Sequence, residues 1–198
     1  MALFLVLLVL TGVTRLVELN ISRVHRREMF RKGAVHSADP GFIWMVLLHI
    51  GILLGSLLEV VLFARTAPTG LAVTAALGVV AASSLRVWAI RSLGRHWNVR
   101  IVDSTSLGIV DTGPYRYLRH PNYVAVFLEL ALLPLVQGAW ITALVGTVLH
   151  FFVLKQRVAH EEVILLRDKE YAARMRDKPR FLPLLRWDDR SSRKASEA

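Results

Sequence analysis

Apolar residues occur along this chain in long blocks that are separated by short polar segments. Two of these blocks, residues 42–63 and 69–90, contain few charged side chains. At a rise of about 1.5 Å per residue, each is long enough to cross the roughly 30 Å of hydrocarbon in a bilayer. Pro68 and Gly70 mark a short turn between them. The pattern therefore predicts two consecutive membrane-spanning helices.

A further apolar segment lies at the amino terminus, over residues 2–19. It is fully apolar or small as far as Val13 and then contains Arg15 and Glu18. No basic region precedes it and no small-residue cleavage site follows it, which argues against a signal peptide. We interpret it as the first spanning helix, with Arg15 and Glu18 near its inner end.

Two shorter apolar runs, residues 123–136 and 139–154, complete the pattern. Each is shorter than the roughly 20 residues of a usual span, so flanking residues complete them or the bilayer is locally thin. Residues 155–177 contain neither proline nor glycine and keep a helical pattern, which predicts that the fifth helix continues as a charged C-terminal arm. Pro179 and Pro183 would end this arm.

Together these elements predict an all-α integral membrane protein with about five transmembrane helices and a cytoplasmic C-terminal helical arm. We expect a single membrane-embedded domain over residues 1–187 and a disordered polar tail over residues 188–198. The composition agrees, because 54% hydrophobic residues and a mean hydropathy of +0.45 are too high for an ordinary soluble protein of 198 residues. The chain has no cysteine, which excludes disulfide frameworks and thiol catalysis.

The basic residues are distributed unequally between the two ends of the predicted helices. Five lie in residues 23–32, five in residues 91–119 and twelve after residue 154, whereas the opposite side has only Arg65. By the positive-inside rule the amino terminus lies outside and the carboxyl terminus in the cytoplasm. The net charge of +10 then faces anionic lipid headgroups, so we expect membrane lipid rather than nucleic acid as its partner.

One polar, turn-rich block, residues 111–123, interrupts the apolar pattern on the predicted cytoplasmic side. It reads Asp-Thr-Gly-Pro-Tyr-Arg-Tyr-Leu-Arg-His-Pro-Asn-Tyr. Gly113 and Pro114 break the backbone, and Pro121 suits the first turn of a following helix. Two arginines, a histidine, an asparagine and three tyrosines beside one carboxylate favour a ligand site over a packed core.

The C-terminal arm contributes a second group of polar residues on the same side. Arg157 and Glu161 are four residues apart and lie on one helix face, with Glu162 beside them. A solvated ion pair is the ordinary result of this spacing. Because the block is predicted nearby, a carboxylate pair that faces it and holds a cationic or zwitterionic ligand is the functional interpretation.

Other polar residues in the apolar runs have simpler explanations. For His49, Glu59 and His150 we favour interhelical hydrogen bonds or interfacial positions. The five tryptophans fall near predicted interfaces, where tryptophan is a common belt residue. Residues 160–162, His-Glu-Glu, are splayed around a helix axis, so we expect no metal site.

Residues 113–123, followed about forty residues later by Arg157, Glu161 and Glu162, resemble the isoprenylcysteine carboxyl methyltransferase family. With the hydrophobic layout, the resemblance covers roughly residues 42–187. It implies S-adenosylmethionine as methyl donor, bound at the cytoplasmic end of the last helices rather than in a Rossmann domain, and we find no G-x-G-x-x-G after a strand. Residues 93–98 and 122–126 look more like bacterial members, which implies a bacterial inner membrane. Ala125 stands where the family often has glycine.

The resemblance also implies roles for individual residues. It assigns Glu161 and Glu162 to the cation or hydroxyls of the donor, His120 to its carboxylate, and residues 113–115 and Tyr123 to its packing. The full predicted donor-binding set is Gly113, Pro114, Tyr115, Arg119, His120, Pro121, Asn122, Tyr123, Glu161 and Glu162. Arg157 and Glu161 are the predicted catalytic residues, since Arg157 suits an anionic acceptor.

We therefore expect a membrane O-methyltransferase that acts on a carboxylate or acidic hydroxyl. Its acceptor would be a lipophilic small molecule or a prenylated molecule that enters from the bilayer. An N-methyltransferase for phospholipid amines is an alternative within enzymes. A non-enzymatic membrane scaffold that keeps the block for packing is an alternative of another class. The sequence leaves the acceptor and the oligomeric state open.

Overall fold

The computed structural model of the chain describes residues 1–37, 39 and 41–182. The predicted disordered tail and Pro183 lie outside the described residues. The elements in chain order are α1 (Ala2–Arg31), β1 (Val35–His36), α2 (Phe42–Leu62), α3 (Thr69–Leu93), β2 (Val102–Asp103), α4 (Pro121–Leu132), α5 (Trp140–Leu165) and α6 (Lys169–Met175). Short 3-10 turns occur at Gly94–His96, Thr105–Leu107, Gly113–Arg116 and Pro134–Val136. The predicted all-α class is confirmed, with one two-residue antiparallel strand pair added.

Four helices of the described chain are long and apolar enough to cross a membrane. They are α1, α2, α5 and the stretch Thr69–His96, and a shorter apolar stretch covers Pro121–Val136. This agrees with about five spans and is the pattern of a multi-pass membrane protein. Large apolar side chains such as Leu16, Leu62 and Leu144 are exposed, as expected for side chains that contact lipid.

Helix α1 is longer than the sequence pattern predicted, because it continues from residue 19 to Arg31. Arg15 and Glu18 therefore lie in the middle of the helix, and their predicted position near its inner end is wrong. Arg15 pairs with Glu18 at 2.7 Å and with Glu129 of α4, while Arg86 of α3 donates to Glu18 at 2.6 Å. An unpaired charge in hydrocarbon is costly, and this internal pairing reduces that cost.

Helix α5 ends at Leu165, so the predicted continuous arm over residues 155–177 is wrong. Asp168 has an extended backbone, and its side chain accepts a hydrogen bond from the Tyr171 amide at 2.8 Å, which starts α6. The break between the helices lets Tyr171 and Met175 pack against Ala89 of α3 and against Tyr115. The end of the arm is thus folded back onto the bundle.

Close helix packing depends on two glycines. A Cβ at Gly78 of α3 would come within 2.6 Å of the Leu132 side chain, and one at Gly146 of α5 would come within 2.8 Å of Ile52. The small residues let α3 approach the end of α4, and α5 approach α2. These contacts hold α4 and α5, which carry the polar residues described below, in fixed positions.

Two of the buried ionisable residues have structural roles. Glu59 accepts hydrogen bonds from the backbone amides of Ile141 and Thr142 at 3.1 and 2.8 Å, and so caps the first turn of α5. His150 stacks on Phe127 and meets His49 edge to face. Both observations agree with the packing interpretation of these residues.

At the end of the bundle where α3 and α5 finish, an extended segment, residues 97–103, lies against α1 and the α1–α2 loop. Val35 pairs with Asp103 in the β1–β2 ladder. Ser22 of α1 donates to the Asn98 side chain at 2.9 Å, and the His25 ring contacts the carbonyl of Trp97. These bonds fix the segment over the site described next.

Candidate active site

A cavity of about 130 Å³ lies between residues 97–110, the start of α4 and the end of α5. Leu165, Tyr171 and Met175 close it from the side of α5 and α6. The predicted residues that line it are Tyr115, Arg119, His120, Asn122, Tyr123 and Glu161. Gly113, Pro114, Pro121, Arg157 and Glu162 do not belong to its lining among the described residues. The structure therefore brings part of the block and part of the arm together around one cavity.

Gly113 fixes the turn that presents Tyr115. Its φ of +59° lies in the left-handed region, and a Cβ there would collide with Ser92 Oγ and lie 3.2 Å from Trp88 Nε1. Pro114 follows in the second position of the 3-10 turn, within the first turn, where its missing N–H costs no hydrogen bond. Neither residue reaches the cavity, and both position the residue that does.

Glu162 joins two arginines and a histidine. Its Oε1 atom lies 3.0 Å from His120 Nε2 and 3.0 Å from Arg119 Nη1, and Arg180 donates to Oε2 at 2.9 and 2.6 Å. The backbone amide of Arg119 also donates to the carbonyl of Pro179 at 3.0 Å. This cluster connects α5, the start of α4 and the chain after α6. In the structure Glu162 is an anchor for His120 and is 4% exposed.

The Tyr123 hydroxyl connects Arg157 with Glu161. It accepts a hydrogen bond from Arg157 Nε at 2.9 Å and donates one to Glu161 Oε2 at 2.6 Å. Spacing alone suggested a direct ion pair on α5, whereas the structure places a hydroxyl between the two charged groups. Glu161 is thereby held at the cavity wall.

Each of the three guanidinium nitrogens of Arg157 has a partner. Besides Tyr123, Nη1 donates to Asp39 Oδ1 at 3.0 Å and Nη2 donates to the carbonyl of Val99. Asp39 also accepts from the Ile101 amide at 3.1 Å. The role of Arg157 toward an acceptor stays a prediction, since an acceptor would have to replace one of these bonds.

Two residues that line the cavity each have a buried polar atom without a hydrogen-bond partner within the described chain. These atoms are the indole nitrogen of Trp97 and the side-chain oxygen of Asn122, one a donor and the other an acceptor. Buried polar atoms are rarely left unpaired, so such atoms beside a cavity are typical of a ligand site. Trp97 is 1% exposed, and its interpretation as a membrane-interface residue was wrong.

The cavity wall also has neutral and apolar surfaces. Burial raises the pKa of the Tyr115 and Tyr171 phenols, so both stay uncharged at physiological pH. With Leu165 and Met175 they form a largely apolar part of the cavity wall. Ala125, which stands where the resemblance implied glycine, is fully buried in α4 and is not part of this wall.

Sequence reasoning missed four residues of this region: Asp39, Trp97, Tyr171 and Arg180. Asp39 lies in a loop with no pattern that points to α5, and Arg180 follows the last described helix. Tyr171 carried a usable signal, because Asp168 three residues earlier is a helix-start residue that would have folded the arm back. The position of Trp97 directly after the third span was mistaken for the membrane interface.

A second, apolar cavity of about 670 Å³ runs along the groove between α2 and α5. On α5 it extends from Ile141 to Val153, and on α2 from Trp44 to Gly55. At about 1.5 Å per residue, the stretch on α5 is about 18 Å long, roughly half of the hydrocarbon thickness. It ends one helical turn before Arg157.

Comparison with known proteins gives a family and two relatives. Residues 73–167 match the model of the isoprenylcysteine carboxyl methyltransferase (ICMT) family. The chain is 28% identical over 171 residues to the uncharacterized protein YpbQ of Bacillus subtilis, covering 86% of this chain and 99% of that protein. It is also 28% identical over 153 residues to an uncharacterized protein of Haemophilus influenzae, covering 75% of this chain and 86% of that protein. The matched residues include most of the cavity wall, so the part of the chain that forms the site is similar to the ICMT family of membrane methyltransferases.

Proposed function

We propose that the protein uses S-adenosylmethionine to methylate a carboxylate or acidic hydroxyl of a lipophilic acceptor. The observation that carries this proposal is that Trp97 and Asn122, each with an unpartnered buried polar atom within the described chain, line the same cavity as Glu161, Arg119 and His120. Such a wall suits a ligand that has an aromatic edge, a positive charge and a carboxylate. The family match supports the same donor.

Different residues of the cavity wall would contact different parts of such a donor. Glu161 would hold the cationic or hydroxyl part, and Arg119 with His120 would hold the carboxylate. Tyr115 and Tyr171 would contact the flat base, while the Trp97 N–H and the Asn122 oxygen would bond to its edge. When bound, S-adenosylmethionine supplies an activated sulfonium methyl group.

The size of the cavity adds an expectation about movement. Its volume of about 130 Å³ is below the roughly 300–1,000 Å³ that is usual for pockets that bury a drug-sized ligand. We therefore expect residues 97–110, which form one wall, to move outward when the donor binds. Closure of this segment afterwards would exclude water from the nucleophile.

We place the apolar tail of the acceptor in the groove between α2 and α5. The groove has the length of one bilayer leaflet, and its end near Phe152 and Val153 lies one helical turn from Arg157. A tail in the groove would bring a polar head to the region between Arg157 and the cavity. A carboxylate head needs no general base at neutral pH, whereas a hydroxyl must lose a proton before or during attack.

We also propose that the site lies at the cytoplasmic face of a bacterial inner membrane, with the amino terminus outside. The distribution of basic residues supports this orientation, because the cavity is on the side that carries nearly all of them. A site on that side has direct access to a donor made in the cytoplasm.

The proposal is tested by incubating the purified protein with methyl-labelled S-adenosylmethionine and a bacterial lipid extract. We expect a labelled lipid that loses its label in mild base, as a methyl ester does. A base-stable product would instead indicate an ether or an amine, and so contradict the carboxylate form of the proposal. No transfer above the level of the His120→Ala variant would contradict the enzyme itself.

A further inference from the structure

The loop between α1 and α2 brings a carboxylate to the active site from outside the family-matched residues 73–167. The side chain of Asp39 is 4% exposed and that of Arg157 is 2% exposed, and their ion pair measures 3.0 Å. The backbone carbonyl of Asp39 also accepts from the Phe42 amide at 3.2 Å, at the start of α2. Asp39 is therefore held through its backbone and its side chain, and it has no role in the sequence-predicted site.

In this series of hydrogen bonds, the chemical nature of each side chain determines which atom donates and which accepts. Arginine only donates, so Asp39 accepts from Arg157, and the Tyr123 oxygen accepts from Arg157 Nε. The single hydrogen of the Tyr123 hydroxyl is then directed to Glu161. This series of hydrogen bonds therefore runs from the Asp39 carboxylate in the loop to the Glu161 carboxylate on the cavity wall.

We propose that Asp39 is a positioning residue of the active site. It orients the Arg157 guanidinium, which orients the Tyr123 hydroxyl and through it the Glu161 carboxylate that lines the cavity. This inference rests on the proposed function, because it connects Asp39 to donor binding through Glu161. Through Asp39, the amino-terminal part of the chain would also contribute to the site.

The effect requires the charge and both oxygens of Asp39. Its two oxygens accept from two different donors, Arg157 Nη1 and the Ile101 amide. Asparagine has only one acceptor oxygen, so its NH₂ group would face one of these donors. Loss of the charge also leaves the buried guanidinium of Arg157 without its counter-ion, which favours reorientation toward other acceptors.

The test is calorimetry of S-adenosylhomocysteine with the full chain in detergent, for wild type, Asp39→Asn, Tyr123→Phe and the double variant. We expect Asp39→Asn to weaken binding about tenfold. In the Tyr123→Phe background the same change should alter affinity less than twofold, because the connecting hydroxyl is gone. The proposal is overturned if the fold-losses of affinity in the two single variants multiply in the double variant. It is also overturned if Asp39→Asn has wild-type affinity.

Asp103→Asn is the matched control. Although it lies in the segment 97–110, Asp103 is not one of the residues that line the cavity. Within the described chain its carboxylate accepts hydrogen bonds from the amide and the side chain of Thr105. We expect wild-type affinity from this variant. A loss equal to that of Asp39→Asn would mean that any carboxylate change in the segment disturbs the site, and would refute the specific role of Asp39.

Two further measurements keep the proposal independent of other failures. If Asp39→Asn does not fold, Asp39→Glu replaces it. We then expect a severalfold loss of affinity when Tyr123 is present and no loss in the Tyr123→Phe background.

If wild type does not bind S-adenosylhomocysteine, the proposed function fails, and the positioning role is tested in ligand-free protein. There the tyrosine Raman signal of Tyr123, taken as the difference from Tyr123→Phe, should change in Asp39→Asn but not in Asp103→Asn. An unchanged signal would refute the positioning role on its own.

Discussion

Glu161 and Glu162 are neighbours with the same side chain, but the structure gives them different partners. Glu161 lines the cavity and, within the described chain, accepts a hydrogen bond from Tyr123. Glu162 accepts from His120, Arg119 and Arg180 and is not part of the cavity wall. We therefore predict that Glu161→Gln weakens donor binding, and that Glu162→Gln destabilises the fold.

The magnitudes follow from the contacts. Removing one partner of a buried ion pair costs about 3–5 kcal/mol, and we take about 3 kcal/mol for Glu162→Gln because Arg180 is 30% exposed. For a chain of this length, that corresponds to a fall in Tm of about 6–12 °C. In Glu161→Gln the amide oxygen can still accept from Tyr123, so we expect less than about 1 kcal/mol in stability. The lost charge-assisted bond to the donor should weaken binding by about tenfold.

The assay measures both quantities in one detergent. Thermal unfolding gives Tm, and calorimetry at a temperature well below either Tm gives the affinity for S-adenosylhomocysteine. Each variant is the control for the other, since both remove one negative charge from adjacent positions. A large fall in Tm for Glu161→Gln with wild-type stability for Glu162→Gln would show that the partner assignment is reversed.

Three shorter predictions follow from other parts of the structure. Gly113→Ala should lower Tm by several degrees because of its positive φ and the collision with Ser92, whereas Gly70→Ala, whose added methyl meets nothing within 4 Å, should not. Trp97→Phe keeps a ring but loses the unpartnered N–H, so calorimetry below the Tm of the variant should show severalfold weaker binding of S-adenosylhomocysteine, with a lowered Tm because the smaller ring leaves a cavity; an unchanged affinity would exclude Trp97 as a donor contact. A reporter at Ala67 should be external and one after residue 198 cytoplasmic, and protease accessibility of both from the same side would contradict the five-span topology.

The sequence predicted most of the helices because their signal is local. An apolar block needs no partner to be recognised, and α2 and α3 end within three residues of the predicted limits. Other features have non-local causes. Arg15 lies in the middle of α1 and is paired with Glu129, more than a hundred residues away, and no local pattern reveals that pairing.

The site was predictable where chemistry and helix spacing coincide. The sequence predicted that residues 111–123 and Glu161 lie on the same side of the membrane. In the structure, residues from both segments line one cavity. The different partners of Glu161 and Glu162 could not be predicted from the sequence. Whether a carboxylate faces the cavity or an arginine cluster depends on which segment packs beside it, and Arg180 and Asp39 come from segments without helical or strand periodicity.

Photo-cross-linking of methyl-labelled S-adenosylmethionine to the purified protein tests the central claim most directly. We expect that label is incorporated into peptides that contain Trp97, Tyr115 or Tyr171, that excess S-adenosylhomocysteine prevents it, and that Glu161→Gln reduces it. Label confined to peptides away from the cavity, or labelling that S-adenosylhomocysteine does not prevent, would contradict the assignment of this cavity as the donor site.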